Sequence, residues 1–257
     1  MTVKERFETD EYIFLYAFFA HTHGGTQGLI KLNKEDGKRI DYDKSFESVS
    51  LYNQKYFEDV RIDRENEKVY LINDGHNLKN IYLEIGMGMG DFITQSALKH
   101  PNIFYIGLER IDACVARAIK KAQELELTNL RIIRTDAANL LDIFDEKSIK
   151  RLYIHFCDPW PKRKTHKRRL TYPSFLSIYE KLLMDDGDIV FKTDNTDLFN
   201  DSIEYFNESP FKIVERSDDY HHDEPKTGYE EKFLNLGVPI HYARLVKKDT
   251  GYEENSK

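Results

Sequence analysis

From residue 81 onward, short apolar runs alternate with segments whose apolar residues recur every three or four positions, the pattern of strands and helices in turn. Runs at 81–85, 103–108, 130–134, 151–156 and 188–192 predict five strands, with helices between them at 91–99 and from Asp112 to about Leu127. In the second of these helices Val115, Ile119 and Ala122 share one face. A further helix is expected to be capped by Thr171, to carry Pro173 in its first turn and to end at Gly187. A helix at 196–207 and strands at 211–214 and 240–246 complete the series, the final strand antiparallel at or near an edge. Such alternation specifies an α/β fold with a doubly wound, Rossmann-like sheet, mostly parallel and covered on both faces.

Residues 1–80 break this pattern. Tyr12–Ala20 and Val69–Ile72 are strand-like, and Gly24-Gly25 and Asn73-Asp74-Gly75 read as turns, so a small β-rich N-terminal segment is expected. The run at 12–20 is shorter than the roughly 20 apolar residues that a membrane span requires. Glu5, Glu8, Asp10 and Glu11 outweigh Lys4 and Arg6 where a signal peptide needs a positive flank, so the run reads as a buried strand. The expected division is 1–80, an α/β domain at 81–248, and a polar, flexible tail at 249–257.

Charge and cysteine content narrow the function. With a formal net charge of -7, the chain as a whole repels nucleic acid, and any such binding needs a local basic patch. One exists: between Arg151 and Leu170 seven Lys or Arg residues face a single acid, Asp158. Cys114 and Cys157 are the only cysteines, and neither lies in a paired metal spacing. A disulfide framework and a zinc site are therefore not expected, and a cytoplasmic location without membrane or metal partners is. His21, His23 and His76 have no carboxylate or cysteine spaced to complete a metal shell and read as turn residues.

The chemistry begins at Glu84-Ile-Gly86-Met-Gly88-Met-Gly90, where glycines allow a tight strand-to-helix turn and close approach of a ligand. Asp91 stands where a dinucleotide fingerprint would have its last glycine, and the spacing resembles the loop of S-adenosylmethionine (AdoMet)-dependent methyltransferases. Glu109 ends the second strand, where it can accept both ribose hydroxyls, and Asp136 follows the third, within reach of an adenine amino group. Asp158-Pro159-Trp160-Pro161 follows the fourth strand. Trp160 suits either stacking on a base or packing in the core. Cys157 reads as a small buried hydrophobe. The cations of Lys162–Arg169 adjoin this presumed reacting centre and suit phosphate binding.

Taken together, Glu84–Gly90, Asp158-Pro-Trp-Pro-Lys162, Lys167-Arg-Arg-Leu170, Phe191-Lys-Thr-Asp194 and Thr227-Gly-Tyr-Glu230 resemble the bacterial tRNA (guanine-N7-)-methyltransferase family over about 82–246. The resemblance implies a methyltransferase fold, AdoMet as cofactor, and methylation of a guanine in the tRNA variable loop. By position it implies that Glu84, Gly86, Gly88, Gly90, Glu109 and Asp136 hold AdoMet and that Asp158 is catalytic. Lys162, Asp194, Thr227, Gly228, Tyr229 and Glu230 would contact substrate, and Lys164, Thr165, His166, Lys167, Arg168 and Arg169 would touch RNA. Lys164-Thr165 departs from the family's usual Arg-His, with a histidine displaced to His166, and residues 1–80 do not resemble its short N-terminal segment. The same cofactor fold also serves N-methyltransferases acting on another RNA, a protein or a small molecule, and a non-catalytic RNA-binding subunit, and monomer and homodimer both stay open.

Overall fold

In the computed structural model, the described residues are 81–248 together with the backbone of five strands among the first 80. Those five are β1 (Thr2–Glu8), β2 (Tyr12–Phe19) and β3 (Thr26–Asn33), which pair antiparallel in that order, and the antiparallel pair β4 (Val60–Asp63) and β5 (Lys68–Leu71). The two expected turns, His21, His23 and His76, and the tail at 249–257 lie outside the described residues.

The remaining chain runs β6 (Ile81–Ile85), α1 (Asp91–Lys99), β7 (Phe104–Glu109), α2 (Asp112–Glu124), β8 (Leu130–Arg134), α3 (Leu140–Ile143) and β9 (Ile149–His155). It continues through α4 (Pro173–Leu182), β10 (Leu183–Thr193), α5 (Thr196–Asn207), β11 (Phe211–Ser217), α6 (Gly228–Asn235) and β12 (His241–Lys247). One seven-stranded sheet results, in the order β11-β12-β10-β9-β6-β7-β8. β12 is antiparallel to both of its neighbours, one place in from the edge, and the other pairings are parallel. Because the central strands are covered on both faces, their apolar runs are nearly continuous, and Leu83, Ile106, Leu152, Ile154, Ile189 and Phe191 are fully buried.

Strand order reverses at β6, which lies between β7 and β9, and such a switch point opens a crevice at the carboxyl ends of the strands. Two glycines set the turn there. Gly90 has φ +77°, and a Cβ on it would stand 2.7 Å from Ala118 Cβ, so the start of α1 presses directly on α2. A Cβ on Gly107 would collide with Met87 Sδ, so this bare position in β7 admits the side chain that anchors the loop.

Two local expectations are corrected. Thr171 does not cap α4: the N-cap position is Tyr172, and the buried Thr171 hydroxyl is 2.7 Å from Ser202 Oγ on α5. A tertiary partner inside the core outcompetes the local cap. Gly187 does not end α4, which stops at Leu182; it lies within β10, where a Cβ would come 3.1 Å from both Lys150 O and Met184 O. Among the described residues no helix is long and apolar enough to cross a membrane.

Candidate active site

Glu84 reaches the end of β6 fully inside the protein, at 1% exposure. Its Oε1 is 3.2 Å from His155 Nδ1 at the end of β9, while Oε2 and His155 Nε2 have no hydrogen-bond partner among the described residues. Burial drives the Glu84 pKa up to about 8, with Lys192 opposing it, and drives His155 well below its ordinary range. Both shifts favour the uncharged form of each group. Phe92 from α1 packs edge-on to the imidazole, 4.5 Å between ring centres.

Glu109 works first as a brace. Its Oε1 accepts the N–H groups of Arg110 (2.7 Å) and Ile111 (2.9 Å), and its Oε2 accepts that of Gly88 (3.0 Å), tying the glycine loop to β7. A carboxylate offers about four acceptor positions, so one remains on Oε2. Asp136 is exposed beyond β8, where Oδ1 accepts Ala138 N (2.9 Å) and Oδ2 lies 3.6 Å from Arg110.

The Asp158 loop leaves β9 next to β6 and β10. Phe156 (φ +49°) and Trp160 (φ +41°) both take the left-handed conformation, uncommon for large side chains. Two hydrogen bonds brace the loop: Phe156 N donates to Lys192 O (2.9 Å), and Arg169 Nε donates to Pro159 O (2.7 Å). Between these braces the Asp158 side chain is exposed. Trp160 is half-buried, with the Arg168 guanidinium 4.9 Å over its ring. Cys157 packs against the main core, and burial raises its thiol to about 12, consistent with an inert role.

The basic run divides by depth. Lys162, Lys164, Lys167 and Arg168 are exposed, while Thr165 donates back to Lys162 O at 2.7 Å. His166 and Arg169 turn inward. Arg169 is 2% exposed, bound to Asp201 (2.5 Å), Pro159 O and His166 Nε2 (3.0 Å), so it props the loop instead of facing solvent. Arg169→Ala is expected to cost about 2 kcal/mol of stability, since hydrogen bonds to a charged group are lost, a change that urea denaturation measures.

Thr227–Glu230 begins α6. Thr227 Oγ1 accepts Glu230 N (3.0 Å), but the Glu230 carboxylate does not return to the cap. It is completely buried, with Lys192 Nζ at 3.0 Å and His222 Nε2 at 2.5 Å. Burial pushes Glu230 up but is outweighed by His222 and Lys192, leaving it below the usual carboxylate range; burial lowers Lys192. The segment is fixed over α1 as well: Glu224 pairs with Lys99 (3.0 Å) and His100 (3.2 Å), and a Cβ on Gly228 would stand 3.1 Å from Asp91 Oδ2. Asp194 is half-buried just past β10, and Tyr229 is exposed.

A family model described as "Putative methyltransferase" matches residues 79–243. The tRNA (guanine-N(7)-)-methyltransferase of Lachnoclostridium phytofermentans is 45% identical over 175 residues, 66% of this chain and 81% of that protein. Its namesake in Macrococcus caseolyticus is 43% identical over 177 residues, 67% of this chain and 84% of that protein. The chain belongs to the tRNA (guanine-N7)-methyltransferase family. In fold it is also similar to a 30S ribosomal A1408 methyltransferase from an uncultured bacterium, with a TM-score of 0.51 at 14% identity, covering 73% of this chain and 95% of that one.

The site of this methyltransferase fits the AdoMet implied by the sequence. Nothing stands within 4 Å of where a Cβ would be on Gly86 or Gly88, so the loop has an open face. Beside it, Glu84 Oε2 lacks a partner and Glu109 Oε2 keeps one acceptor position. Among the described residues no His, Cys, Asp and Glu group is arranged to hold a metal ion. Lys192, His155 and His222 escaped the sequence reading, although a lysine inside a buried central strand is itself a signal of a paired charge.

Proposed function

We propose that this chain transfers a methyl group from AdoMet to N7 of a guanine in the tRNA variable loop, in the cytoplasm. The observation that carries the reading is an exposed carboxylate, Asp158, on a braced loop leaving β9, the neighbour of the strand that carries Glu84 and leads into the open glycine turn. The chemistry named for relatives at 43–45% identity agrees with it. In this reading Glu84, Gly86, Gly88, Gly90, Glu109 and Asp136 hold AdoMet, which when bound supplies a methyl group on a sulfonium.

Guanine N7 carries a lone pair and no proton at neutral pH, so the chain's residues need not remove one. Their work is placement, the kind of contribution that holding reactants in line makes. Asp158 favours the positive charge that develops on the purine, or accepts hydrogen bonds from its N1 and N2 donors. Lys162, Asp194 and Thr227–Glu230 line the substrate side, and buried Glu230 serves it by fixing α6. Because N7 lies on the edge that a regular RNA helix hides in its deep groove, the substrate is a folded RNA with an accessible loop.

Incubation with an unmodified tRNA transcript and methyl-labelled AdoMet, followed by nuclease digestion and mass spectrometry, is expected to give N7-methylguanosine in the variable loop. AdoMet binding without that product would overturn the reading. Lys164, Lys167 and Arg168 are the exposed cations assigned to phosphates, with Arg169 reassigned to the loop brace. Replacing the three by glutamine should weaken tRNA binding and flatten the slope of log K against log salt by roughly 0.7–0.9 per lost phosphate contact.

A further inference from the structure

Three aromatic rings meet at the carboxyl rim of the sheet, outside the carboxylate cradle. Phe156 immediately follows β9, and Tyr229 and Phe233 come from α6, one turn apart. Their planes are nearly parallel, within 16–21°, and their centres are 6.2 Å (Phe156–Phe233), 6.4 Å (Tyr229–Phe233) and 6.5 Å (Phe156–Tyr229) apart. Three nearly equal distances form a triangle, which excludes a single column of rings. Tyr229 is 60% exposed, and Phe156 and Phe233 are half-buried.

We propose that Phe156, Tyr229 and Phe233 form a stacking platform for the purine face of the target guanine. The proposal rests on the tRNA methyltransferase reading and adds what holds the base by its face, since Asp158 and the methyl donor address only its edges. Backbone conformation supports it. Phe156 sits at φ +49°, and a left-handed bulky residue costs on the order of 1–3 kcal/mol, a strain that collects at functional sites. That conformation belongs to the turn bringing the ring against α6, two residues before Asp158.

Charge supports it too. Lys232 Nζ lies 5.4 Å over the Phe233 ring, so one cation adjoins the rings. Aromatic faces edged by cations take a base with its phosphate, the combination that single-stranded RNA presents.

The test is single-turnover methylation of unmodified tRNA at saturating AdoMet by Tyr229→Ala, Tyr229→Leu, Tyr229→Phe and Tyr229→Trp variants, with AdoMet affinity measured in parallel. Base stacking on one aromatic ring predicts about a ten- to hundredfold fall for Ala and Leu, while Phe and Trp keep wild-type rates to within about twofold. AdoMet affinity should not change. Rescue by Leu as good as by Phe would reduce the rings to packing, and loss of AdoMet binding in Tyr229→Ala would make them structural; either overturns the proposal. So would a Tyr229→Ala variant whose sedimentation, and not its RNA affinity, is altered, because the face would then be a subunit contact. Wild-type protein that binds tRNA without methylating it would overturn the functional reading instead, and the platform is then tested by tRNA affinity, which Tyr229→Ala must weaken.

Discussion

Asp158→Ala is expected to lower N7-methylguanosine formation by about two to three orders of magnitude, the scale on which one preorganised electrostatic group contributes to a transition state. AdoMet affinity and stability should change little. The loop is held by backbone and Arg169 bonds on either side of Asp158, Phe156 N to Lys192 O and Arg169 Nε to Pro159 O, and the Asp158 side chain itself is exposed. Truncation removes the carboxylate and leaves its support standing. Asp158→Asn separates the two roles open to this group. If the charge matters, the amide fails almost as badly as alanine; if the acceptor matters, the amide oxygen keeps part of the rate. Normal turnover by the alanine variant, measured under single-turnover conditions with tRNA transcript, removes Asp158 from the mechanism.

What could be read in the chain follows from what neighbours in sequence dictate. Strand–helix alternation gave the doubly wound sheet, and the Glu84–Gly90 spacing gave the turn, because backbone geometry there is set within a few residues. Depth was harder. Lys162–Arg169 looks like one basic face, yet it folds as a 3₁₀ turn at Arg163–Arg168, where residues three apart eclipse, so His166 and Arg169 come together and both turn toward Asp201. Thr227-x-x-Glu230 has the form of a capping box and marked the start of α6, a signal the sequence reading passed over. The convergence of Lys192, His222 and Glu230, and that of Glu84 with His155, joins residues far apart in the chain. No local pattern predicts either.

Lys192→Met should cost about 3–5 kcal/mol of stability, because removing one partner of a buried pair strands the other charge. Lys192 is 4% exposed and Glu230 0%, so little water can replace the lost contact, and only His222 remains to Glu230. The pH dependence follows from the signs of the shifts. Glu230 lies below its unfolded value of 4.5, so the stability it contributes is present above about that pH and disappears as pH falls through the folded value. In the variant the share that Lys192 supplies is gone, and only the His222 share stays. The deficit should therefore be largest near neutrality and narrow in acid, where Glu230 protonates in either protein. Removing Lys192 also removes the charge that opposes burial at Glu84, which then titrates above its present value of about 8. Urea denaturation at pH 7 and at pH 4 reads the first effect, and the double variant Lys192→Met/Glu230→Leu should recover part of the loss by leaving no charge behind. A single variant as stable as the wild type at pH 7 would show that α6, and with it Thr227 and Tyr229, is held in place by something other than this ion pair.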